Sequence, residues 1–232
     1  TYCIIPYARG PVRSEPLAAA VEQTRQLRQE GYREIVVTGI EISSYGRDFK
    51  DGTSLIDLLE AVSEAAGDLR IRLGSLEPRT ITEEFCRRAA KLPNLCPHFH
   101  LSMQSGCSAT LARMKRKYNV QQAEAAMARV RDAIPSVQFT TDMIVGFPGE
   151  TEEEFAQTLE FIRRCAFSSM HIFPYSRRPG TPADKMPGQH NNATKEARSR
   201  AAIAVAEEMS RAYRENLVGK TLEVLFEETD GQ

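Results

Sequence analysis

Cys3, in the segment Thr1-Tyr2-Cys3-Ile4-Ile5-Pro6-Tyr7, carries the side chain best suited to hold a soft metal, because a thiolate is both ligand and nucleophile. A lone cysteine before an apolar run is equally consistent with a small buried hydrophobe, and the residue alone leaves both readings open. Polar groups then recur where short β-branched runs end. Thr38-Gly39-Ile40-Glu41 places a glycine where a ligand could approach the backbone, or where the chain simply turns. Leu73-Gly74-Ser75-Leu76-Glu77-Pro78 sets a hydroxyl and a carboxylate at another such end. That pair suits a ribose hydroxyl or an ammonium group; a solvated loop charge is the alternative for Glu77. His100-Leu101-Ser102-Met103-Gln104-Ser105-Gly106-Cys107 leads into Arg113-Met114-Lys115-Arg116-Lys117-Tyr118, where four of five consecutive residues are basic and an aromatic follows. Such a patch can hold phosphates while the ring stacks on a base, although a basic helix face is often only solvated. Thr141-Asp142-Met143-Ile144-Val145-Gly146-Phe147-Pro148-Gly149-Glu150 is expected to expose backbone amides at a helix start, suited to a carboxylate or an adenine edge. His171-Ile172-Phe173-Pro174-Tyr175-Ser176-Arg177-Arg178 closes the set. His98, His100 and His190 have no metal spacing with the cysteines and are expected to be structural. Cys86, Cys96 and Cys165 are expected in the core, and Cys107 need not be a ligand.

The elements that must position these groups alternate strand and helix. Ser14 is expected to cap a helix with Pro16 in its first turn and Gly31 at its end. Strands are predicted over residues 34–39, 70–75, 98–104, 137–145 and 169–175. Helices are predicted from Ser54 to about Ala66, from a Thr82 cap to about Leu92, over 120–134, after the Thr151/Glu154 capping box, and from about Ala193 to Glu215. Five βα alternations imply a parallel sheet with helices outside. No Gly-x-Gly-x-x-Gly follows the first strand, and unusual residues recur after successive strands, which favours a barrel over an open doubly wound sheet.

With 232 residues the chain can bury a substantial core. A net charge of −1 gives no general argument for a nucleic-acid partner, so any such argument must be local. Five cysteines, an odd count, make a disulfide framework unlikely and a reducing cytoplasm the expectation. No apolar run approaches a membrane span. Thr1-Tyr2-Cys3 reads as the middle of a motif. The alternating run over 219–227 reads as a strand that has nothing after it to pair with.

The opening segment resembles the tail of the Cys-x3-Cys-x2-Cys loop of radical S-adenosylmethionine (SAM) enzymes, as found in the methylthiotransferase family, with Cys3 matching the third cysteine. The blocks described above follow in that family's order across residues 1–219. Arg177 and Thr181 stand within a stretch similar to its Tyr-Ser-x-Arg-x-Gly-Thr-x-Ala element. Tyr45-Gly46-Arg47-Asp48, Gly74-Ser75-Leu76-Glu77-Pro78 and His171-Ile172-Phe173-Pro174-Tyr175-Ser176 look most like the MtaB-type subgroup, which acts on N6-threonylcarbamoyladenosine at position 37 of tRNA.

The resemblance implies a partial TIM-like (β/α)6 radical SAM barrel over 1–218 that lacks its first strand, and the first strand of a TRAM-like β domain over 219–232. It implies three thiolates, Cys3 among them, holding a 4Fe–4S cluster whose open iron chelates SAM. A second 4Fe–4S cluster would sit in an N-terminal domain outside this sequence, so the fragment alone is not expected to turn over. Tyr2, Thr38, Gly39, Ser75, Glu77, Gln104, Ser105, Asp142, Gly146, Pro148, Gly149 and Tyr175 would contact SAM. Arg113, Lys115, Arg116, Lys117, Arg177 and Arg178 would contact RNA, although Arg177 and Arg178 suit the SAM carboxylate equally. Partners would be tRNA and a reductant such as flavodoxin or ferredoxin, without a membrane. Isopentenyladenosine in tRNA or a ribosomal-protein aspartate are alternative substrates, and a non-catalytic RNA-binding barrel is the more distant reading.

Overall fold

Short β-branched runs between amphipathic helices leave one good way to bury both faces of each strand, with helices outside and a common interior within. The computed structural model describes residues 1–226 and has this α/β form. In chain order the elements are α1 (Ile5–Arg9), α2 (Leu17–Gln29), β1 (Glu34–Val37), α3 (Leu55–Ala66), β2 (Arg70–Leu73), α4 (Glu83–Ala89), β3 (His98–Gln104), α5 (Ser108–Arg113), α6 (Val120–Ala133), β4 (Gln138–Val145), α7 (Glu152–Cys165), β5 (Ser169–Pro174) and α8 (Asn192–Glu215). All strand pairs are parallel. β1 pairs with β2, and β4 lies between β3 and β5. Single bridges, Ile71 to Leu95 and Leu76 to Leu101, join the two sheets. Spatial order therefore follows chain order with no reversal, as a barrel requires and a doubly wound sheet forbids.

Alternation along the strands sorts the two faces. Ile71, Leu73, Phe99, Leu101 and Met103 are buried beneath the helices in one large core, with Ile35 and Val37 packed against it. The opposite, inward face is polar: Glu34 accepts hydrogen bonds from Arg70 Nε at 3.0 Å and Arg72 Nε at 2.7 Å. Burial opposes ionisation of Glu34, yet the two guanidiniums hold its carboxyl below the usual range.

Most predicted boundaries agree within two residues, and the Ser54/Asp57, Asn119/Gln122 and Thr151/Glu154 capping boxes are formed. The first predicted cap is corrected. Pro16, not Ser14, is the N-cap of α2. Ser14 is drawn away because its N–H and hydroxyl both donate to Asp48, at 2.8 and 2.6 Å, while its Oγ accepts from the Gly46 N–H. Gly46 is required there: its φ is 84°, and a Cβ would lie 2.0 Å from the Thr53 carbonyl oxygen. The short helices α1 and α5 carried no clear periodic signal. Residues 220–226 form no strand and are exposed; residues 227–232 of the predicted strand and second domain lie outside the described residues.

Candidate functional site

The C-terminal ends of the strands gather around the first residues of the chain. Thr1 Oγ1 donates to the Met114 carbonyl at 2.5 Å, and the Ala183 N–H donates to the Thr1 carbonyl at 3.1 Å. Tyr2 Oη donates to Gln104 Oε1 at 3.1 Å and accepts from Arg116 Nη2 at 2.5 Å. Arg116 Nη1 in turn donates to Glu77 Oε1 at 3.0 Å, and Arg79 pairs with the other Glu77 oxygen at 3.1 Å. Residues from the ends of β2 and β3, and from the loop after α5, thus converge on Tyr2. Cys3 stands next to this lattice and is exposed, whereas Cys86, Cys96, Cys107 and Cys165 are buried. Gln104 holds its place at a cost: its φ of 67° is left-handed, worth about 1–2 kcal/mol for a residue with a Cβ.

Aromatic rings wall the same region. Phe147 meets Tyr2 edge-on at 6.2 Å and Tyr175 at 5.3 Å. The Tyr175 hydroxyl and Arg116 Nε are buried without a hydrogen-bond partner. Each such atom costs about 1–3 kcal/mol, a deficit that a polar ligand would remove. Burial also raises the Tyr175 and Tyr2 phenols above the usual range, so both stay protonated and can donate.

Several other expected site residues have partners of their own. Ser105 is fully buried, its hydroxyl accepting from the Cys107 N–H and lying 3.4 Å from Thr158 Oγ1, so it faces the α7 core and not the mouth. Asp142 turns into the barrel, 3.2 Å from His100 Nε2. The amides expected to be free after β4 are taken: Gly146 N–H by Glu150 Oε2 at 2.7 Å, Gly149 N–H by the Gly188 carbonyl at 2.9 Å, Glu150 N–H by the Phe147 carbonyl at 3.0 Å. Gly146, at φ 69°, has Lys195 Cγ 2.6 Å from where a Cβ would stand. Pro148 is buried beside it and Gly149 exposed. Thr38, Gly39 and Ser75 are exposed at the ends of β1 and β2. A cleft of about 810 Å³ runs between Pro11, α2 and β1 and touches only Thr38 and Gly39 of the candidate set.

The basic run divides. Arg113 pairs with Glu154 and Arg116 with Glu77, leaving Lys115 and Lys117 exposed. Tyr118, expected to stack on a base, is 4% exposed, packs in the core and donates to the Ser102 carbonyl at 2.7 Å. Arg177 pairs with Asp184 at 2.9 Å, and Arg178 is exposed. Sequence reasoning placed Arg116 with RNA; its role in the mouth depends on the left-handed turn at Lys115, φ 59°, which swings Arg116 inward. It also missed the clamp of Ser14 by Asp48, although the Tyr45-Gly46-Arg47-Asp48 block was its visible signal.

Comparison with known proteins shows the family. The family profile described as "Radical SAM superfamily" matches residues 1–162. The chain is 40% identical over 228 residues to the threonylcarbamoyladenosine tRNA methylthiotransferase MtaB of Thermotoga maritima, covering 98% of this chain and 52% of that protein. It is 37% identical over 227 residues to the tRNA-2-methylthio-N(6)-dimethylallyladenosine synthase of Acetivibrio thermocellus, covering 98% and 47%. The chain therefore spans about half the length of the curated relatives it matches. Among solved structures, coproporphyrinogen III oxidase (HemN) from Escherichia coli superposes with a TM-score of 0.61 at 17% identity, covering 83% of this chain and 45% of that one. That likeness carries the fold alone.

Proposed function

Because the chain belongs to the radical SAM superfamily, we propose that it forms the catalytic barrel of a tRNA methylthiotransferase that modifies C2 of N6-threonylcarbamoyladenosine at position 37. One observation carries the reading: the single exposed cysteine stands at the mouth of the parallel strands, tied through Tyr2 to Gln104, Arg116 and Glu77. Superfamily membership implies a 4Fe–4S cluster and SAM in the whole enzyme. The donor set fits one corner of that cluster, since Cys3 is a single thiolate and no group of three or more metal-ligating side chains occurs among the described residues. The other two cysteines of the motif, and a second cluster, belong in this reading to sequence outside the chain. Cys3, with two further thiolates, would hold such a cluster, which when bound would supply the electron for cleavage of SAM.

The chain's own residues bind and orient. Tyr2 fixes the Cys3 loop against Gln104, and Glu77 balances the charge of Arg116 in a half-buried setting. The unpaired Arg116 Nε and Tyr175 hydroxyl offer donors to a carboxylate-bearing cofactor. Arg116 therefore belongs with SAM in this reading, while Lys115, Lys117 and Arg178 remain for RNA phosphates. Phe147 and the two tyrosines exclude water from the mouth. The reading carries with it a reductant such as flavodoxin or ferredoxin, a cytoplasmic location, and a tRNA-gripping β domain from residue 219 onward. No helix among the described residues is long and apolar enough to cross a membrane.

Nucleoside mass spectrometry of tRNA from a strain lacking the gene tests the proposal. The methylthio group should vanish from threonylcarbamoyladenosine, return with the wild-type gene, and stay absent with Cys3→Ala. Loss from the dimethylallyl nucleoside instead would shift the substrate to that of the second relative. Retention of both marks would end the proposal.

A further inference from the structure

The inward wall of the barrel carries a set of side chains that the mouth does not use. His98 and His100 on β3 face Thr140 and Asp142 on β4. His98 Nε2 and His100 Nδ1 each lie 2.9 Å from Thr140 Oγ1, and His100 Nε2 lies 3.2 Å from Asp142 Oδ2. A carboxylate only accepts, so His100 Nε2 carries the hydrogen in that contact. Anchored at both nitrogens, the ring holds Asp142 in one orientation. Asp142 Oδ1 has no hydrogen-bond partner among the described residues, and the side chain is 28% exposed, so one acceptor opens into the barrel.

An aromatic ledge adjoins it. Asp142 is in register with His171 on β5, and Ile144 with Phe173. The His171 and Phe173 rings are 6.3 Å apart and tilted by 32°, and Phe173 is 50% exposed. A large ring left half open beside a free carboxylate oxygen calls for a ligand with two matching features: a flat face and a hydrogen-bond donor on its edge. A nucleobase with an exocyclic N–H has both.

We propose that this wall reads the substrate base: a purine with a hydrogen on its exocyclic nitrogen lies against Phe173 and His171 and donates that hydrogen to Asp142, which His100 positions. The inference rests on the proposed function, which supplies a tRNA adenosine as substrate, and it moves Asp142 from the cofactor to the base. An adenine with one substituent on N6 keeps such a hydrogen, and one with two substituents has none. A site built around an acceptor rejects a ligand without the donor far more strongly than an apolar pocket rejects a missing methyl group.

The chain has four histidines, so imidazole C–H resonances can be followed one by one. N6-methyladenosine added to the whole 232-residue chain should shift the His100 and His171 signals and leave His190 in place. N6,N6-dimethyladenosine should bind at least about tenfold more weakly. Phe173→Ala, at an exposed position, should weaken N6-methyladenosine binding about tenfold through lost stacking. Asp142→Ser should do the same and erase the preference between the two nucleosides, with the His190 signal as the check on folding. Unmoved His100 and His171 signals, or equal binding of both nucleosides to the wild-type chain, overturn the inference. That result beside a lost methylthio mark in the deletion strain leaves the proposed function standing; shifted histidines beside a retained mark bring down the reaction and keep the base-binding wall.

Discussion

At the residue level, burial and the nearby Arg72 guanidinium push the His98 imidazole down from 6.5 to about 4. The folded state therefore binds fewer protons than the unfolded state between those values. Stability from this group is complete above pH 6.5 and is lost as pH falls toward 4. Allowing for partial solvent screening, the loss is about 2 kcal/mol. Urea midpoints measured across this range should fall with pH in the wild type, and His98→Gln should flatten the slope. Acids held low, Glu34 by its two arginines and Asp57 by hydrogen bonds from Ser54 and Arg88, act below this window and should leave its upper part unchanged. The same burial that neutralises His98 pushes the Cys165 thiol up to about 12. Exposure, not sequence neighbourhood, is what separates Cys3 from the other four cysteines.

Elements are joined by a different device. α8 reaches the turn after β4 through Arg198, which is 4% exposed and pairs with Glu150 at 2.8 Å; Glu150 in turn accepts from the Gly146 N–H. Burial raises the Glu150 carboxyl, and the Gly146 amide and Arg198 oppose that rise. Arg198→Met would strand a buried carboxylate. Denaturant unfolding should show a loss of about 3–5 kcal/mol, with much of it recovered in the Arg198→Met/Glu150→Gln double variant, where no charge is left buried. A deficit in the double variant as large as in the single one would refute this account. The contact was not legible in the sequence. Glu150 reads there as part of a helix-opening turn, and Arg198 lies 48 residues away on a helix whose length was legible but whose rotation was not.

Across the whole molecule, one core cluster takes residues from both sheets, including Leu59, Ile71, Phe99, Phe139 and Phe161. The sheets share few backbone bonds, so side-chain packing is what makes them one unit. Phe99, between Phe85 and Phe139, should cost about 3–5 kcal/mol on replacement by alanine. Circular dichroism and the exposure of buried thiols should still report a single transition; two separate transitions would show that the halves fold apart. Sequence by itself determined the strand and helix order and the starts of α3, α4, α6 and α7. These rest on local physics: two-residue and 3.6-residue periodicities and capping residues. Tertiary structure alone decided that Arg116 enters the mouth while Tyr118 enters the core, that Ser105 turns away, and that the amides after β4 are already paired. Those outcomes depend on which distant groups compete for each polar atom, and a linear pattern does not encode that competition.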